Sequence, residues 1–229
     1  MGEGMMRYSI ITPTLCRPTL KRLCDSIDAQ TNGDWEHIVV VDVPPPKFNA
    51  ERQENLDAVQ KDARRKFHYI GKPHQNDCGN SARRFAFAQA VGEYIFYIDD
   101  DDYFSDDNVL QSLEKVTGDW AIFPVLSRGK RCFHDPPGIH KTGSCMFVSK
   151  RVCQPIFPEN NDYSADGQVV EALKKNFRYQ AFPDMRPLVI YEQANHGEFE
   201  IVPEAKRKSR GGLIRYASDG LTIDWNDYN

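Results

Sequence analysis

The stretch EYIFYIDDDDYFSDDNVL, residues 93–110, joins an apolar run to four consecutive aspartates. The aromatic and β-branched residues of the run predict a buried strand that ends at Asp99. Two carboxylates about 4 Å apart repel by about 1 kcal/mol in water, and more strongly where water is scarce. Such a cluster therefore takes up protons or binds a cation. Oxygen ligands suit Mg²⁺, Mn²⁺ or Ca²⁺ rather than Zn²⁺, so we expect a divalent cation at the end of this strand.

The acidic run has two other interpretations, an EF-hand loop and a solvated turn. An EF-hand loop needs glycine where Phe104 stands and glutamate where Leu110 stands, so the spacing excludes it. A solvated turn that caps the next helix is a good interpretation of Asp106 and Asp107. For Asp99–Asp102, the Asp-x-Asp strand end favours a metal. Because Mg²⁺ or Mn²⁺ held by few carboxylates usually completes its shell with water and substrate phosphates, the run also predicts a diphosphate ligand.

Strand-like and helix-like segments alternate through the first hundred residues. The predicted strands cover residues 7–14, 36–42, 67–71 and 93–98, and the predicted helices cover residues 17–30, 50–66 and 80–92. This alternation predicts an α/β fold with a parallel sheet covered on both faces. Ligands bind at the carboxyl ends of such strands, which points to Thr12–Thr14, Asp42 and Asp99–Asp102.

The second half of the chain is less regular. It contains strand-like runs at 119–127, 143–149 and 187–192 and a helix-like run at 166–176. No internal repeat and no linker separates it from the first half, so we expect one α/β domain.

Composition places few limits on function. The chain has 229 residues, 40% of them hydrophobic and 27% charged, with a net charge of −4, which gives no signal for nucleic-acid binding. No apolar stretch is long enough to span a bilayer. Six scattered cysteines without metal-ligand spacing predict reduced thiols in a cytoplasmic protein. The basic run KRKSR at 206–210 fits a solvated charge run, a lid over a diphosphate, or a contact of residues 206–215 with an anionic acceptor or membrane surface.

Two longer stretches carry a family resemblance. SIITPTLCRPTLKRLCDSIDAQTNGDWEHIVVVD and SARRFAFAQAVGEYIFYIDDDD resemble, in order, the opening and the central block of family 2 glycosyltransferases with the GT-A fold. The resemblance covers about residues 7–103. It implies one GT-A-like domain over 5–216, with a Rossmann-like, mostly parallel sheet flanked by helices and a smaller mixed sheet on the acceptor side. Residues 7–103 would bind the nucleotide-sugar, residues 104–200 would bind the acceptor, and residues 204–229 would form a basic tail.

The resemblance also implies roles on the donor side. Thr12 and Pro13 would line the nucleotide pocket through their backbone, and Asp42 would bind the base. Arg83 would reach towards the nucleotide, and Asp99 would face the ribose. Asp100 would lie beside Asp99 in the nucleotide-sugar site, and Asp101 and His196 would bind the metal. Taken alone, Thr12 and Pro13 fit a simple strand terminator, Asp42 an ordinary strand-end aspartate, and Arg83 an exposed helix residue.

Asp166, at the start of the predicted helix 166–176, is the implied catalytic base, with Asp162 as the second choice. An aspartate at a helix start is also a routine cap, and a histidine beside glycine, as at His196, is commonly a surface residue. The chain departs from the family pattern where prolines follow Asp42 and Val43. It also departs at three single positions: Arg84 replaces the usual asparagine, Ala86 the usual glycine, and Ala165 the usual glutamate.

These features predict an inverting, metal-dependent hexosyl- or pentosyltransferase. The donor would be a nucleoside-diphosphate sugar, a UDP-sugar first, with Mn²⁺ or Mg²⁺, and the acceptor a glycan, lipid-linked or other hydroxyl. Two alternatives remain open: a nucleotide-sugar-binding module without catalysis, and a nucleotidyltransferase. The latter expects a Gly-rich basic loop after the first strand, and TPTLCRP is not one.

Overall fold

The computed structural model describes residues 7–43, 48–59, 62–70, 77–139, 141–158 and 164–192, together with the backbone of 215–217 and 220–222. The chain divides into two compact units, Met1–Glu192 and Gln193–Asn229. In the second unit, the structure describes a hairpin of antiparallel strands, Arg215–Ala217 and Gly220–Thr222.

The first unit alternates strands and helices in the order expected. Its strands are β1 Tyr8–Thr14, β2 Trp35–Val41, β3 Arg65–Tyr69, β4 Tyr94–Tyr97, β5 Tyr103–Phe104, β6 Trp120–Ile122, β7 Val125–Ser127, β8 Lys130–Cys132, β9 Phe147–Lys150, β10 Tyr179–Ala181 and β11 Val189–Tyr191. Its helices are α1 Thr19–Asp28, α2 Ala50–Asp57, α3 Asn80–Gln89, α4 Val109–Leu113 and α5 Ala165–Asn176. Every helix in the described part of the chain is too short or too polar to span a bilayer.

The strands form two sheets. The larger has seven strands in the order β10-β6-β9-β4-β1-β2-β3, all parallel except β9, which runs antiparallel to both β4 and β6. The smaller has four strands in the mixed order β5-β11-β7-β8. A mostly parallel sheet flanked by helices, with a smaller mixed sheet, confirms the predicted fold class. The carboxyl ends of β1, β2 and β4 therefore lie at one edge.

The central strands of the large sheet are buried on both faces, as their continuous apolar sequences predict. Along β2, Ile38 and Val40 pack with residues of α3, whereas Val39 and Val41 pack with α1 and α2. All seven residues of β2 are buried. This double cover holds the strand ends, and the loops that follow them, in place.

Several predicted bounds are wrong. The run expected as one strand over 119–127 forms two strands, β6 and β7, and the run 143–149 begins with a 3₁₀ turn at Ser144–Met146 before β9. The helix expected over residues 50–66 ends at Asp57, and β3 begins at Arg65 rather than residue 67. Arg65 is buried, and its guanidinium donates to Asp28 Oδ1 at 2.6 Å, to the Val59 carbonyl at 3.0 Å and to His37 Nδ1 at 2.9 Å. The sequence around Arg65 is typical of a polar helix, but its charge is satisfied inside the fold, mainly by Asp28 and His37, which are distant in sequence.

Glu36 links the amino-terminal ends of several strands. It is buried and accepts hydrogen bonds from Ser9 Oγ at 2.7 Å, Val91 N at 2.8 Å and Lys66 Nζ at 3.0 Å. Burial alone would raise the pKa of Glu36, but these hydrogen bonds hold it below its ordinary value. Gly92 completes the network, since its N–H donates to Ser9 Oγ at 2.8 Å.

Replacing Gly92 with alanine is expected to lower the free energy of unfolding by about 2–3 kcal/mol. A Cβ there would lie 2.5 Å from Ser9 N, a backbone atom inside the sheet. Gly143→Ala is the matched control, because a Cβ at Gly143 meets nothing within 4 Å. Urea denaturation of both variants measures the difference, and equal free energies of unfolding would contradict the packing argument.

Candidate active site

The polar loops after β1, β2 and β4 meet at the carboxyl edge of the large sheet. Asp42 N donates to the Thr14 carbonyl at 2.9 Å, and Ile98 N donates to the Ile11 carbonyl at 3.0 Å, so all three strand ends stay paired as the polar residues begin. The four aspartates follow directly from this edge. The structure thereby brings Thr12–Thr14, Asp42 and Asp99–Asp102 into one region.

Three of the four aspartates form a cluster that can hold a cation. Asp99, Asp101 and Asp102 each offer one oxygen within 4.8 Å of the others. A turn in which Asp102 N donates to the Asp99 carbonyl, at 3.1 Å, returns Asp102 to the side of the other two. Three hard oxygen ligands in this arrangement fit Mg²⁺ or Mn²⁺.

The sequence groups Asp102 with the other three aspartates of a metal site but predicts no separate role for it. Its Oδ1 accepts from Glu192 N at 3.0 Å, whereas its Oδ2 is buried with no nitrogen or oxygen partner, and the buried Cys145 thiol offers the carboxyl only a weak hydrogen bond. Burial, with the charges of Asp99 and Asp101, raises the pKa of Asp102 well above its ordinary value. A buried carboxylate oxygen without a partner is costly unless a proton or a metal satisfies it. The residues present therefore fit a divalent cation.

Asp100 faces the other way. Its Oδ2 accepts from Thr14 Oγ1 at 2.6 Å and from Leu15 N at 3.2 Å, and its Oδ1 accepts from Arg17. The carboxylate thus supports the loop between β1 and α1. The prediction that Asp100 lies in the nucleotide-sugar site stays a prediction.

Arg83 pairs with the acidic cluster, and its charge also acts on Asp166. Its Nη2 donates to Asp99 Oδ1 at 2.5 Å, and its Nη1 donates to the Cys78 carbonyl at 2.7 Å. The side chain is buried, and its guanidinium carbon lies 5.3 Å from the centre of the Phe157 ring. The neighbouring Arg84 instead donates to the Pro158 carbonyl at 2.6 Å.

Asp166 lies in the first turn of α5. Its Oδ2 accepts from Ser144 N at 3.2 Å. Burial and the nearby charge of Asp99 raise the pKa of Asp166 to about 6, although Arg83 and the Ser144 hydrogen bond act in the opposite direction. A carboxylate with this pKa is ionised at neutral pH and still able to accept a proton. The structure therefore places a base of suitable pKa beside the acidic cluster.

The Thr12 side chain is engaged inside the sheet. Arg65 Nε donates to His37 Nδ1, so His37 Nε2 carries the proton and donates to Thr12 Oγ1 at 3.0 Å. Burial and Arg65 lower the pKa of His37 well below its ordinary value, which keeps the ring neutral. Pro13 packs against Gly79, whose φ is +76° and where a Cβ would lie 3.1 Å from Pro13 Cβ. The Thr12 side chain is thus unavailable to a ligand, and the backbone role of Thr12 and Pro13 stays a prediction.

Several predicted features lie outside the described residues. They are His196, Asp162, the basic run 206–210 and the prolines that follow Val43. Their roles stay predictions.

Comparison with known proteins decides the family. The family model of glycosyl transferase family 2 matches residues 9–181. The chain belongs to this family. The match spans both the acidic cluster and Asp166, and it confirms the resemblance found in the sequence. A comparison with curated protein sequences finds no significant match.

Solved structures of glycosyltransferases share the fold of this family 2 chain. S. aureus TarS 1-349 in complex with UDP-GlcNAc aligns with a TM-score of 0.68 and 17% identity, over 86% of this chain and 62% of that one. The mannosyltransferase PcManGT from Pyrobaculum calidifontis, in complex with GDP-Man and Mn²⁺, aligns with a TM-score of 0.57 and 16% identity, over 78% and 55%. The chain thus spans 55–62% of the length of these two structures.

Proposed function

We propose that this family 2 chain transfers a sugar from a nucleoside-diphosphate sugar to an acceptor hydroxyl, with inversion at the anomeric carbon. The observation that carries the proposal is the acidic cluster of Asp99, Asp101 and Asp102, which lies near enough to Asp166 for the charge of Asp99 to help raise the pKa of that carboxyl to about 6. A UDP-sugar is the first donor to test, and the acceptor is a glycan, a lipid-linked group or another hydroxyl compound. The related structures, one in complex with UDP-GlcNAc and the other with GDP-Man and Mn²⁺, support this class of donor.

On the donor side, Asp99, Asp101 and Asp102 would hold Mn²⁺ or Mg²⁺, with His196 as a further candidate ligand. The metal, when bound, would neutralise charge on the departing diphosphate. Asp42 would hydrogen-bond the base, and the backbone at Thr12 and Pro13 would line the nucleotide. Arg83 Nη2 donates to Asp99 Oδ1 at 2.5 Å and so orients this carboxylate. Asp99 is also the aspartate that we assign to the ribose.

On the acceptor side, Asp166 removes the proton of the attacking hydroxyl. Ser144 N holds its Oδ2 at 3.2 Å, which orients the carboxylate at the start of α5. Attack from the face opposite the diphosphate inverts the anomeric carbon and needs no covalent enzyme intermediate. The proton passes from the acceptor oxygen to Asp166 as the bond to the anomeric carbon forms and the bond to the diphosphate breaks.

The cysteines support a cytoplasmic location as part of the proposal. All six are free thiols, and four of them are buried. Reduced, packed cysteines are typical of proteins in a reducing compartment.

The proposal is tested by calorimetric titration with UDP and then GDP, each with Mn²⁺ and with EDTA in place of the metal. We expect saturable, metal-dependent binding of one of the two nucleotides, because the diphosphate and the carboxylates would share the cation. Binding that is unchanged by EDTA would contradict the metal assignment. A folded sample that binds neither nucleotide would contradict a UDP-sugar or GDP-sugar donor.

A further inference from the structure

Arg17 places a positive charge against the acidic cluster. It lies in the loop between β1 and α1, and its side chain is 25% exposed. Its Nε donates to Asp100 Oδ1 at 3.0 Å, and its Nη2 makes an ion pair with the same oxygen. Its Nη1 lies 3.4 Å from Asp101 Oδ2. The guanidinium thus contacts both Asp100, which lies outside the cluster, and Asp101, which belongs to it.

The contact between Arg17 and Asp100 does not depend on a bound metal. Asp100 is held by the Thr14 hydroxyl at 2.6 Å and the Leu15 N–H at 3.2 Å, and it is not part of the cluster. If Asp101 turns towards a cation, Arg17 keeps its contacts with Asp100. Its positive charge therefore remains next to the cation.

This arrangement has opposite consequences for two ligands. A bare divalent cation is repelled by a neighbouring guanidinium, whereas a diphosphate is attracted by it. Three of the five N–H groups of Arg17 are engaged with Asp100 and Asp101. The other two have no hydrogen-bond partner among the described residues. Since the side chain is partly exposed, they can reach a phosphate.

We propose that Arg17 couples metal binding to donor binding by weakening the affinity for the bare cation and strengthening the affinity for the metal–diphosphate complex. The inference rests on the proposed function, because it deepens the assignment of the same cluster. It means that the enzyme keeps little metal of its own and takes up the cation together with the nucleoside diphosphate. Such coupling is reciprocal: the diphosphate raises the affinity for the metal by the factor by which the metal raises the affinity for the diphosphate.

The test is Arg17→Met, with two titrations. Mn²⁺ alone is followed by electron paramagnetic resonance of the free ion, and UDP is titrated calorimetrically in saturating Mn²⁺. We expect the dissociation constant for Mn²⁺ alone to fall roughly fivefold and that for UDP to rise roughly tenfold. Arg64→Met is the control for net charge, because Arg64 pairs with Asp62 at 2.6 Å near the amino-terminal end of β3. Neither constant should change in that variant.

Changes in the same direction, or no change in either constant, would overturn the inference. Two losses of affinity would mean that Arg17 merely supports the loop. Arg17→Lys gives a second test that keeps the charge. Its affinity for Mn²⁺ alone should stay within about twofold of the wild type, and an increase like that of Arg17→Met would overturn the charge argument. A wild-type protein that binds Mn²⁺ but no nucleoside diphosphate would contradict the proposed function, and it would remove the diphosphate part of this inference with it.

Discussion

Replacing Asp166 with asparagine is expected to lower kcat by about 10³-fold and to leave the dissociation constant of the donor within about twofold. Asparagine has the same shape and can still accept the Ser144 N–H, which the aspartate accepts at 3.2 Å. It cannot take up a proton from the acceptor hydroxyl. Steady-state kinetics with donor and acceptor measure kcat, and calorimetry measures donor binding.

Glu171→Gln is the matched control for Asp166→Asn. Glu171 lies on the same helix, and its carboxylate pairs with Lys174 at 2.8 Å. This variant should retain wild-type turnover. Normal turnover in Asp166→Asn itself would place the base elsewhere, first at Asp162.

The pH dependence of the same reaction follows from the pKa of Asp166. The carboxyl acts as a base only when ionised, and its pKa is raised to about 6, so kcat/KM should fall as the pH drops through about 6. Arg83 stabilises the ionised form, so Arg83→Met should move this acidic limb to higher pH. A pH–rate profile without such a limb in the wild type would contradict the assignment.

The edge of the sheet that carries the site could be predicted from the sequence. Apolar runs that end in polar residues mark the ends of β1, β2 and β4, and in a parallel sheet those ends share an edge. Asp42 and the four aspartates follow from that rule alone. Local patterns were sufficient here because the apolar runs show that these strands are buried. The helical segments between them indicate that the strands run parallel.

The separate roles of the four aspartates could not be predicted from the sequence. Strand alternation groups Asp99 with Asp101, but Asp102 joins them through a turn that closes on the Asp99 carbonyl. Asp100 is held by Thr14, which is 86 residues away in sequence. Nor could the pKa of Asp166 be foreseen, since it depends on burial and on Arg83 and Asp99 from other elements. These properties arise from contacts that no local pattern contains.

The start of β3 shows the same limit in the fold. Residues 60–66 continue the polar composition of α2, and composition alone extends the helix. The buried position of Arg65 depends on Asp28 in α1, which is 37 residues distant. The place of β9 between β4 and β6 is likewise set by tertiary pairing, because its four residues carry no signal for antiparallel partners on both sides.

Replacing Asp101 with asparagine is expected to weaken metal-dependent binding of UDP by roughly 100-fold. The change removes one charged oxygen from the cluster of Asp99, Asp101 and Asp102. The backbone carbonyl of Asp101, which accepts from Arg22 Nη2 at 3.0 Å, is unaffected. Asp107→Asn is the matched control, since Asp107 belongs to the same acidic stretch and is exposed outside the cluster. Calorimetry with UDP and Mn²⁺ should give wild-type affinity for that control.

The same replacement should also stabilise the metal-free protein. Three carboxylates within 4.8 Å repel one another, and removing one charge relieves part of that repulsion, by about 1 kcal/mol. The contact between Asp101 and Arg17 at 3.4 Å is weakened, but Arg17 stays paired with Asp100, so the relief of repulsion is the larger effect. Urea denaturation in EDTA should therefore show a higher free energy of unfolding for Asp101→Asn than for the wild type. Loss of binding together with a gain in stability cannot result from a damaged fold. A variant that lost both would instead show that Asp101 supports the structure, and the metal would then have to be assigned without it.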